Sequence, residues 1–430
     1  MATIIILAFI STLLYIRDKS TKINKSVSKI YLRHSVFFLL CFSIVFFQCD
    51  LDYVLGIIDA SETYLWINPA VVCKSLALSN CALISFIFGA SLYYKPLIVD
   101  VEYNYNIIKT NKEFVSYAII VLLALYVFLV PKEYLKNGYE LGLDDGRMSG
   151  LMSYLQACFI ALYTLYSIDF KKQHQKSYFK YFKVPIIISV IYVFLIIITG
   201  RRTESVRIAS LLLISFLYSQ KESVNYRRIL LGAVLGIVIL SIIGVLRSYS
   251  SGDIVESLYL ISNNQSVSPF TREYAGSVNT LHIALDNYPS KLNFNYGSTF
   301  LPGFLKIVPG LTDFYASYFA VPPLRTSGDI FTSLYFDGEK YWGLGSSIVA
   351  DIYISFAAVG VCIVMMLFGY FIKYLEYVTF ITQKSPYILA LSFSAYSAFL
   401  FSCRSSMSVI FLCWTYSCIM IYLVIRKRKT

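Results

Sequence analysis

Apolar residues recur along the whole chain in long runs that are separated by shorter polar or charged stretches. The run VPIIISVIYVFLIII at 184–198 has no polar face at helical spacing, whereas a helix packed on a soluble core has one. Runs of this kind are typical of helices that cross a bilayer, which takes about 20 residues. The pattern predicts eleven such helices, at 2–16, 35–55, 69–94, 114–130, 149–168, 184–199, 205–219, 229–246, 347–370, 387–403 and 408–425.

The stretch between the eighth and ninth predicted helices is long and differs in composition. Residues 247–346 hold six of the eleven prolines and many Tyr, Ser and Asn residues. Within this loop, the segment 301–324 is apolar but interrupted by Pro and Gly, so we expect short helices that lie on the membrane surface or re-enter it. The predicted organisation is eight helices in 1–246, one large loop in 247–346, and three helices with a basic tail in 347–430.

Composition supports a membrane protein. The 430 residues are 57% hydrophobic and only 14% charged, with a mean hydropathy of +0.64, whereas soluble domains carry about 25% charged residues. The first apolar run lacks a preceding basic region and a cleavage site, so we expect a retained helix and not a signal peptide. The predicted fold class is therefore all-α, a polytopic bundle of transmembrane helices.

Loop charges predict the orientation, because cytoplasmic loops of membrane proteins are rich in Lys and Arg. With the C-terminal tail in the cytoplasm, alternation assigns 23 of the 37 Lys and Arg residues, and only 7 of the 25 Asp and Glu residues, to cytoplasmic segments. The net charge of +12 is thus explained by the orientation of the helices in the membrane and does not indicate binding to nucleic acid. The large loop faces outward, and the predicted cytoplasmic segments are 17–34, 95–113, 169–183, 220–228, 371–386 and 426–430.

Several classes of function are not indicated. The sequence contains no phosphate-binding GxxxxGK[ST] loop and no dinucleotide fingerprint. It has no HExxH, paired CxxC or His/Asp cluster, so we expect no metal site and no cofactor. The nine cysteines lie in or beside apolar runs and none lies in the large loop, so we expect free thiols.

Arginines on the predicted outward side are the most informative charged residues, because the positive-inside bias disfavours them there. Any single one has an alternative explanation, in which the side chain reaches out to lipid headgroups. Several converging guanidinium groups, however, bind phosphate oxygens in a bidentate manner. We therefore expect a diphosphate-binding site at the outer membrane surface, with candidates Arg201, Arg202, Arg247 and Arg325, followed by Arg404 and Arg272.

For acid–base chemistry, His282 is the one histidine on the predicted outward side. A single histidine is also common as a structural residue. Asp351 is a second candidate, although an acid at the start of a helix also stabilises that helix through its dipole. Tyrosines such as Tyr274, Tyr315 and Tyr318 suit stacking on sugar faces, or a place in the interfacial aromatic belt.

Two patches resemble a known family. The first is GRRTESVRIASLLL at 200–213, an arginine-rich turn between two helices. The second is GLGSSIVADIYISFAAVG at 343–360, a Gly/Ser stretch followed by an acid, a Tyr and a Phe-x-x-x-Gly pattern entering a late helix. Together with the large late loop, these patches resemble the Wzy-type oligosaccharide repeat unit polymerases, in which Glu is common where this chain has Asp351. An Arg-to-Gly spacing of eleven residues found in some members is absent.

The resemblance implies a reaction, a fold and partners. A hydroxyl of a lipid-linked repeat unit attacks the sugar that joins the growing glycan to undecaprenyl diphosphate, which leaves. The fold implied is similar to that of the polytopic GT-C glycosyltransferases, in the bacterial inner membrane with the site facing the periplasm. The arginines would hold the diphosphate, His282 or Asp351 would act as the base, and Tyr353 and Tyr274 would contact the glycan. A Wzz-type chain-length regulator is the partner expected from the family.

Two other functions remain open from the sequence. An O-antigen ligase would use the same donor and an arginine-lined outer site, with lipid A core as acceptor. A flippase or transporter of lipid-linked oligosaccharide would not be an enzyme. A loop of about 100 residues with outward arginines argues against a transporter, which typically has short loops, and matching inverted repeats are absent.

Overall fold

The computed structural model describes residues 8, 10–12, 34–57, 68–93, 108–129, 146–173, 177–198, 202–219, 276–308, 310–319, 325–336, 343–379 and 385–427. Nine long helices occur in these ranges, namely α1 (His34–Val54), α2 (Pro69–Leu92), α3 (Lys112–Leu129), α4 (Gly146–Gln173), α6 (Lys183–Ile198), α7 (Arg202–Ser219), α12 (Ile348–Tyr377), α13 (Pro386–Cys403) and α14 (Met407–Val424). The shorter helices are α5 (Tyr178–Tyr181), α8 (Asn279–Asn287), α9 (Leu301–Leu305), α10 (Leu311–Tyr318) and α11 (Ser327–Tyr335), with 3-10 turns at Gly276–Val278 and Ser298–Phe300.

The expected all-helical class is confirmed for the described residues, apart from one short ladder of β1 (Ile108–Thr110) and β2 (Ile425–Lys427). Nine of the eleven predicted spans coincide with the long helices. The predicted span 229–246 lies outside the described residues, as does most of 2–16. By length and composition, six described helices can cross a membrane: α1, α2, α3, Leu151–Phe170 of α4, α12 and α14. The count of eleven spans is therefore still a prediction.

Contacts between helices separate two ends of the bundle. At one end, β1 pairs with β2, and Ser35 at the start of α1 hydrogen-bonds to Glu376 near the end of α12. At the other end, the start of α14 contacts α12, and α14 also packs against the 3-10 turn at Ser298–Phe300 and α9. We call these the tail end and the loop end. The grouping matches the predicted alternation of helix direction, since the residues joined at the tail end lie in or next to predicted cytoplasmic segments.

The central packing pairs α2 with α12. Tyr93 follows the last residue of α2 and contacts the rings of Tyr370 and Tyr374 late in α12, so the two helices run in the same direction. Their backbones approach closely because Gly89 faces the carbonyl of Met366, where any Cβ would overlap it. Small residues at such crossings are typical of helix pairs in membranes, where close van der Waals contact drives association.

Helix α12 is broken near its first third. Phe356 has φ −136° and ψ 15°, and Ala357 has φ 58° and ψ −169°, outside the helical region. The carbonyl of Ile354 is instead satisfied by the backbone N–H of Asn295, at 2.8 Å. A Cβ at Gly360 would overlap the Cβ of Phe356. The Phe-x-x-x-Gly pattern of the sequence thus corresponds to a break that requires glycine one turn later.

After the turn at Ser298–Phe300, the chain runs alongside α14 from the start of that helix towards the tail end. Gly303 lies against Ser408, Phe304 stacks on Phe411 with ring centroids 5.8 Å apart, and the Tyr416 hydroxyl donates to the carbonyl of Lys306 at 2.7 Å. Between Ser408 and Tyr416, α14 rises about 12 Å. The first part of the apolar segment 301–324 therefore packs against the side of α14, a candidate membrane helix, and not on its end.

Replacement of Gly89 by Ala is expected to destabilise the bundle. Alanine favours a helix over glycine by about 1 kcal/mol, but here its methyl group would overlap the Met366 carbonyl and cost about 1–3 kcal/mol through overpacking. Thermal unfolding of the purified protein in detergent should show a lower Tm. Gly343→Ala is the matched control, because no atom of the described residues lies within 4 Å of its Cβ position and its φ is not positive. Equal Tm values for the two variants would contradict the close approach.

Candidate functional site

The loop end of the bundle concentrates buried polar side chains, and Asp351 is at its centre. Asp351 lies in the first turn of α12 and is completely buried. Its Oδ2 accepts the backbone N–H of Met407 at 2.8 Å, and its Oδ1 accepts the hydroxyl of Thr299 at 3.1 Å. Both oxygens are therefore engaged by the protein itself.

The contact with Met407 has a specific physical basis. Met407 is the first residue of α14, and the first N–H groups of a helix have no partner within the helix. The same helix end carries partial positive charge, which favours a carboxylate. Asp351, in the first turn of α12, thus accepts a hydrogen bond from an otherwise unpaired N–H group at the start of α14. The sequence suggested instead that Asp351 would stabilise its own helix.

A chain of hydrogen bonds leads from Asp351 to Arg404. The backbone N–H of Asp351 donates to the carbonyl of Ser347 at 2.9 Å, and the hydroxyl of Ser347 lies 2.9 Å from that of Thr280. Thr280 also contacts the Ser277 carbonyl at 2.8 Å, and the Ser277 hydroxyl accepts from Arg404 Nε at 2.9 Å. The turn between α13 and α14, the 3-10 turn with α8, and the start of α12 are therefore linked by polar contacts.

The predicted arginines are only partly described. Arg404 is partly buried at the loop end, and Arg325 is exposed just before α11. Arg202 begins α7, but its side chain lies outside the described residues. Arg201, Arg247 and Arg272 lie wholly outside them. The expected convergence of guanidinium groups is therefore untested, apart from the position of Arg404 beside the polar chain.

Arg207 of α7 has a different environment. Its guanidinium donates to Gln156 Oε1 at 2.6 Å and lies 3.9 Å from the carboxylate of Glu204. Cys413 of α14 is also within 3.8 Å of Gln156. Because Glu204 balances the charge of Arg207, this pair suits the packing of α4, α7 and α14 better than the binding of an anion.

His282 is buried in α8, where its Nε2 lies 3.6 Å from Oδ1 of Asp50 in α1. Burial lowers the pKa of His282 to about 4, so the imidazole is neutral near pH 7. A neutral imidazole can accept a proton, as a general base must. His282 follows Thr280 by two residues, so the hydrogen-bond chain that fixes Thr280 also restrains the histidine.

The two candidate glycan-binding tyrosines differ in placement. Tyr353 is buried, and its hydroxyl donates to the carbonyl of Tyr288 at 3.1 Å. Its ring meets that of Phe294 edge-on, with centroids 5.7 Å apart, so α12 is joined to the turn after α8. In this conformation the ring is not open to a sugar. Tyr274 lies outside the described residues.

Several residues of this cluster were not anticipated from the sequence. Asp50 is the clearest, because an acid within an apolar run is costly unless it has a function or a partner. That signal was available in the predicted span 35–55. Ser347 lies in the Gly/Ser stretch of the 343–360 patch, but Thr299, Thr280 and Ser277 gave no signal, since Ser and Thr are common throughout the chain.

Among the described residues, the loop end brings Arg404, the neutral imidazole of His282 and the buried acids Asp50 and Asp351 onto a connected set of elements. In the ranges that the structure describes, no three His, Cys, Asp or Glu side chains group as metal ligands would. The arrangement suits binding of an anionic group and proton transfer from a hydroxyl.

Comparison with known proteins gives one match. Neither the curated proteins nor the solved structures compared with the chain include a match. The family model for O-antigen polysaccharide polymerase Wzy, however, matches residues 1–428, which is nearly the whole chain. Membership implies an O-antigen polymerase role and a glycosyltransferase type of activity on lipid-linked repeat units. The apolar helices agree with a multi-pass membrane protein of this kind. The chain therefore belongs to the O-antigen polysaccharide polymerase Wzy family.

Proposed function

We propose that this protein polymerises O-antigen or capsule repeat units at the periplasmic face of the bacterial inner membrane. The hydroxyl oxygen of the incoming lipid-linked repeat unit forms a bond to C1 of the reducing-end sugar of the growing glycan. The bond from that carbon to undecaprenyl diphosphate breaks, and the diphosphate leaves with the electron pair. The hydroxyl proton passes to a base on the protein.

The observation that carries this proposal is the family match over residues 1–428. It favours a polymerase over a ligase or a flippase, the two alternatives open from the sequence. The proposed side of the membrane rests on the charge distribution, which predicts a cytoplasmic tail end and a periplasmic loop end. A GT-C-like fold and a Wzz-type partner are further parts of the proposal.

Arg404 is the described residue best placed to hold the diphosphate. It lies at the loop end and is anchored through Nε to Ser277, and charge-assisted contacts to phosphate are among the stronger hydrogen bonds of proteins. A cation fixed in advance stabilises the negative charge that develops on the leaving group. Arg201, Arg202, Arg247, Arg272 and Arg325 remain candidates for the same role.

We assign the base to His282 rather than to Asp351. Both oxygens of Asp351 accept hydrogen bonds from the protein, including one from the backbone at the start of α14. His282 is neutral near pH 7, and neither ring nitrogen has a hydrogen bond with the described residues. Both nitrogens are enclosed, so in this proposal the acceptor reaches the imidazole only after the loop end opens. Asp351 is then the residue that holds the loop end in shape. Tyr274 and Tyr353 are candidates for glycan contacts, Tyr353 only after the turn at Tyr288 moves.

Deletion of the gene tests the function directly. Lipopolysaccharide, or capsule, resolved by gel should lose its long ladder, with one repeat unit still attached to the core. Loss of every repeat with long lipid-linked chains outside the membrane would indicate a ligase instead. Single lipid-linked units retained inside would indicate a flippase, and an unchanged ladder in a strain with no second polymerase would contradict the glycan function.

Arg404→Ala is expected to remove the long ladder at normal protein level, because the leaving diphosphate loses a cation. Arg404→Lys keeps the charge without the bidentate geometry and should restore short ladders. Arg201→Ala and Arg202→Ala should resemble Arg404→Ala. Lys291→Ala is the control, since this exposed cation pairs with Asp286. A wild-type ladder from Arg404→Ala would exclude its proposed role.

Acid should destabilise the protein through His282. Its pKa is about 4 in the folded protein and about 6.5 in an unfolded chain. The unfolded state therefore binds more protons as the pH falls from about 6.5 to about 4, which costs up to about 3 kcal/mol of folding free energy. This part of the stability is fully present above about pH 6.5. His282→Gln should show a smaller fall in Tm between neutral pH and about pH 5, and an equal fall would contradict the burial of the imidazole.

A further inference from the structure

Asp50 is a buried acid whose surroundings differ from those of the other buried acids. It lies near the loop end of α1 and is fully enclosed. Neither of its carboxylate oxygens has a hydrogen-bond partner among the described residues. By contrast, Asp351 accepts from Met407 and Thr299, and Glu376 accepts from Ser35. The imidazole of His282 lies near Asp50, with its Nε2 3.6 Å from Oδ1 of the carboxylate.

His282, like Asp50, is buried without hydrogen-bond partners among the described residues. Its side chain is 3% exposed, and both ring nitrogens lack hydrogen bonds with the described residues. Burying a carboxylate and an imidazole without other partners is costly. A separation of 3.6 Å is beyond a hydrogen bond, so the two atoms would have to come several tenths of an ångström closer to form one. Catalytic hydrogen bonds are often long in the absence of substrate and shorten in the reacting complex.

We propose that Asp50 is a positioning residue for His282, and that Nδ1 of His282 is the atom that accepts the acceptor's proton. This inference rests on the proposed function. Asp50 would accept the hydrogen bond of Nε2–H, which fixes the tautomer and leaves the lone pair of Nδ1 free. When the acceptor hydroxyl attacks, its proton moves to Nδ1, and the imidazolium formed lies next to the Asp50 carboxylate.

The elements that carry the two residues suit this role. Asp50 is held by α1, whose Phe42, Phe46 and Phe47 are completely or almost completely buried in the core. His282 is in α8, which is tied through Thr280 to Ser347 at the start of α12. Proton acceptor and carboxylate therefore sit on separate packed helices, so their separation is set by tertiary packing. Burial disfavours the imidazolium, and a carboxylate that comes within hydrogen-bond distance in the reacting complex would offset part of that penalty.

Nitrogen NMR of the full-length protein in lipid nanodiscs tests the geometry without any polymerisation assay. The chain has three histidines, so a ¹⁵N-histidine label gives few signals, and His282→Gln assigns the signal of interest. In the wild type, His282 should carry its proton on Nε2. Asp50→Asn should change the tautomer balance of His282 alone. A wild-type proton on Nδ1, or a His282 signal unaffected by Asp50→Asn, would overturn the inference.

Asp52→Asn is the matched control for both measurements. Asp52 lies in the same helix, is also buried, and accepts a hydrogen bond from Gln48 at 3.0 Å. This variant should leave the His282 signal and the polymerisation rate unchanged. Any effect equal to that of Asp50→Asn would show that the helix, and not the Asp50–His282 pair, is being disturbed.

Kinetics with reconstituted enzyme and lipid-linked repeat units then test the catalytic part. Removal of general-base assistance costs about 100-fold or more, so Asp50→Asn should lower kcat by about that factor with little change in KM. Asp50→Glu should recover part of the rate. The double variant Asp50→Asn/His282→Gln should be no slower than His282→Gln alone. Multiplying effects, or an unchanged kcat in Asp50→Asn, would overturn the pairing. A wild-type enzyme that makes no polymer would instead refute the proposed function, while the NMR result would still stand.

Discussion

A carboxylate on one helix that accepts the first backbone N–H of another holds the loop end of this protein together. Asp351 and Met407 form this contact in a buried setting, where an unpaired group would cost several kcal/mol. The hydroxyl of Thr299 completes the coordination of the same carboxylate. The starts of α12 and α14 and the turn at Ser298–Phe300 are therefore fixed relative to one another, and the remaining polar contacts of the loop end extend from this point.

The two kinds of polar cluster in the bundle illustrate different uses of buried charge. Around Asp351 nearly every acceptor is paired, as expected of a cluster that determines shape. Around Asp50 and His282, the carboxylate oxygens and ring nitrogens have no hydrogen-bond partner within the described part of the chain, which suits the proton-transfer role proposed for this pair. Arg404 lies between these two clusters. Its hydrogen-bond partner, Ser277, belongs to the 3-10 turn that leads into α8, the helix of His282.

Much of the helical framework could be predicted from hydrophobic runs alone, because a bilayer requires long apolar helices whatever they pack against. The pattern of Phe356 and Gly360 was also visible in the sequence, and the structure gives its steric reason. The pairing of Asp50 with His282 could not be predicted, since the two lie in distant parts of the chain and no local periodicity joins them. The same holds for the capping of α14 by Asp351, where the sequence indicated the residue but not the helix that it serves.

The break in α12 affects the depth at which the first residues of this helix would lie in a bilayer. After Ala357, α12 continues without interruption to Tyr377, a stretch of about 20 residues and about 30 Å. That length equals the thickness of the hydrocarbon layer of a bilayer. The residues before the break, among them Asp351, then lie at the level of the lipid headgroups. A polyprenyl diphosphate keeps its tail in hydrocarbon and its charge at that same level. Under the proposed function, the break thus sets the height at which the protein would meet the phosphates of a polyprenyl diphosphate donor.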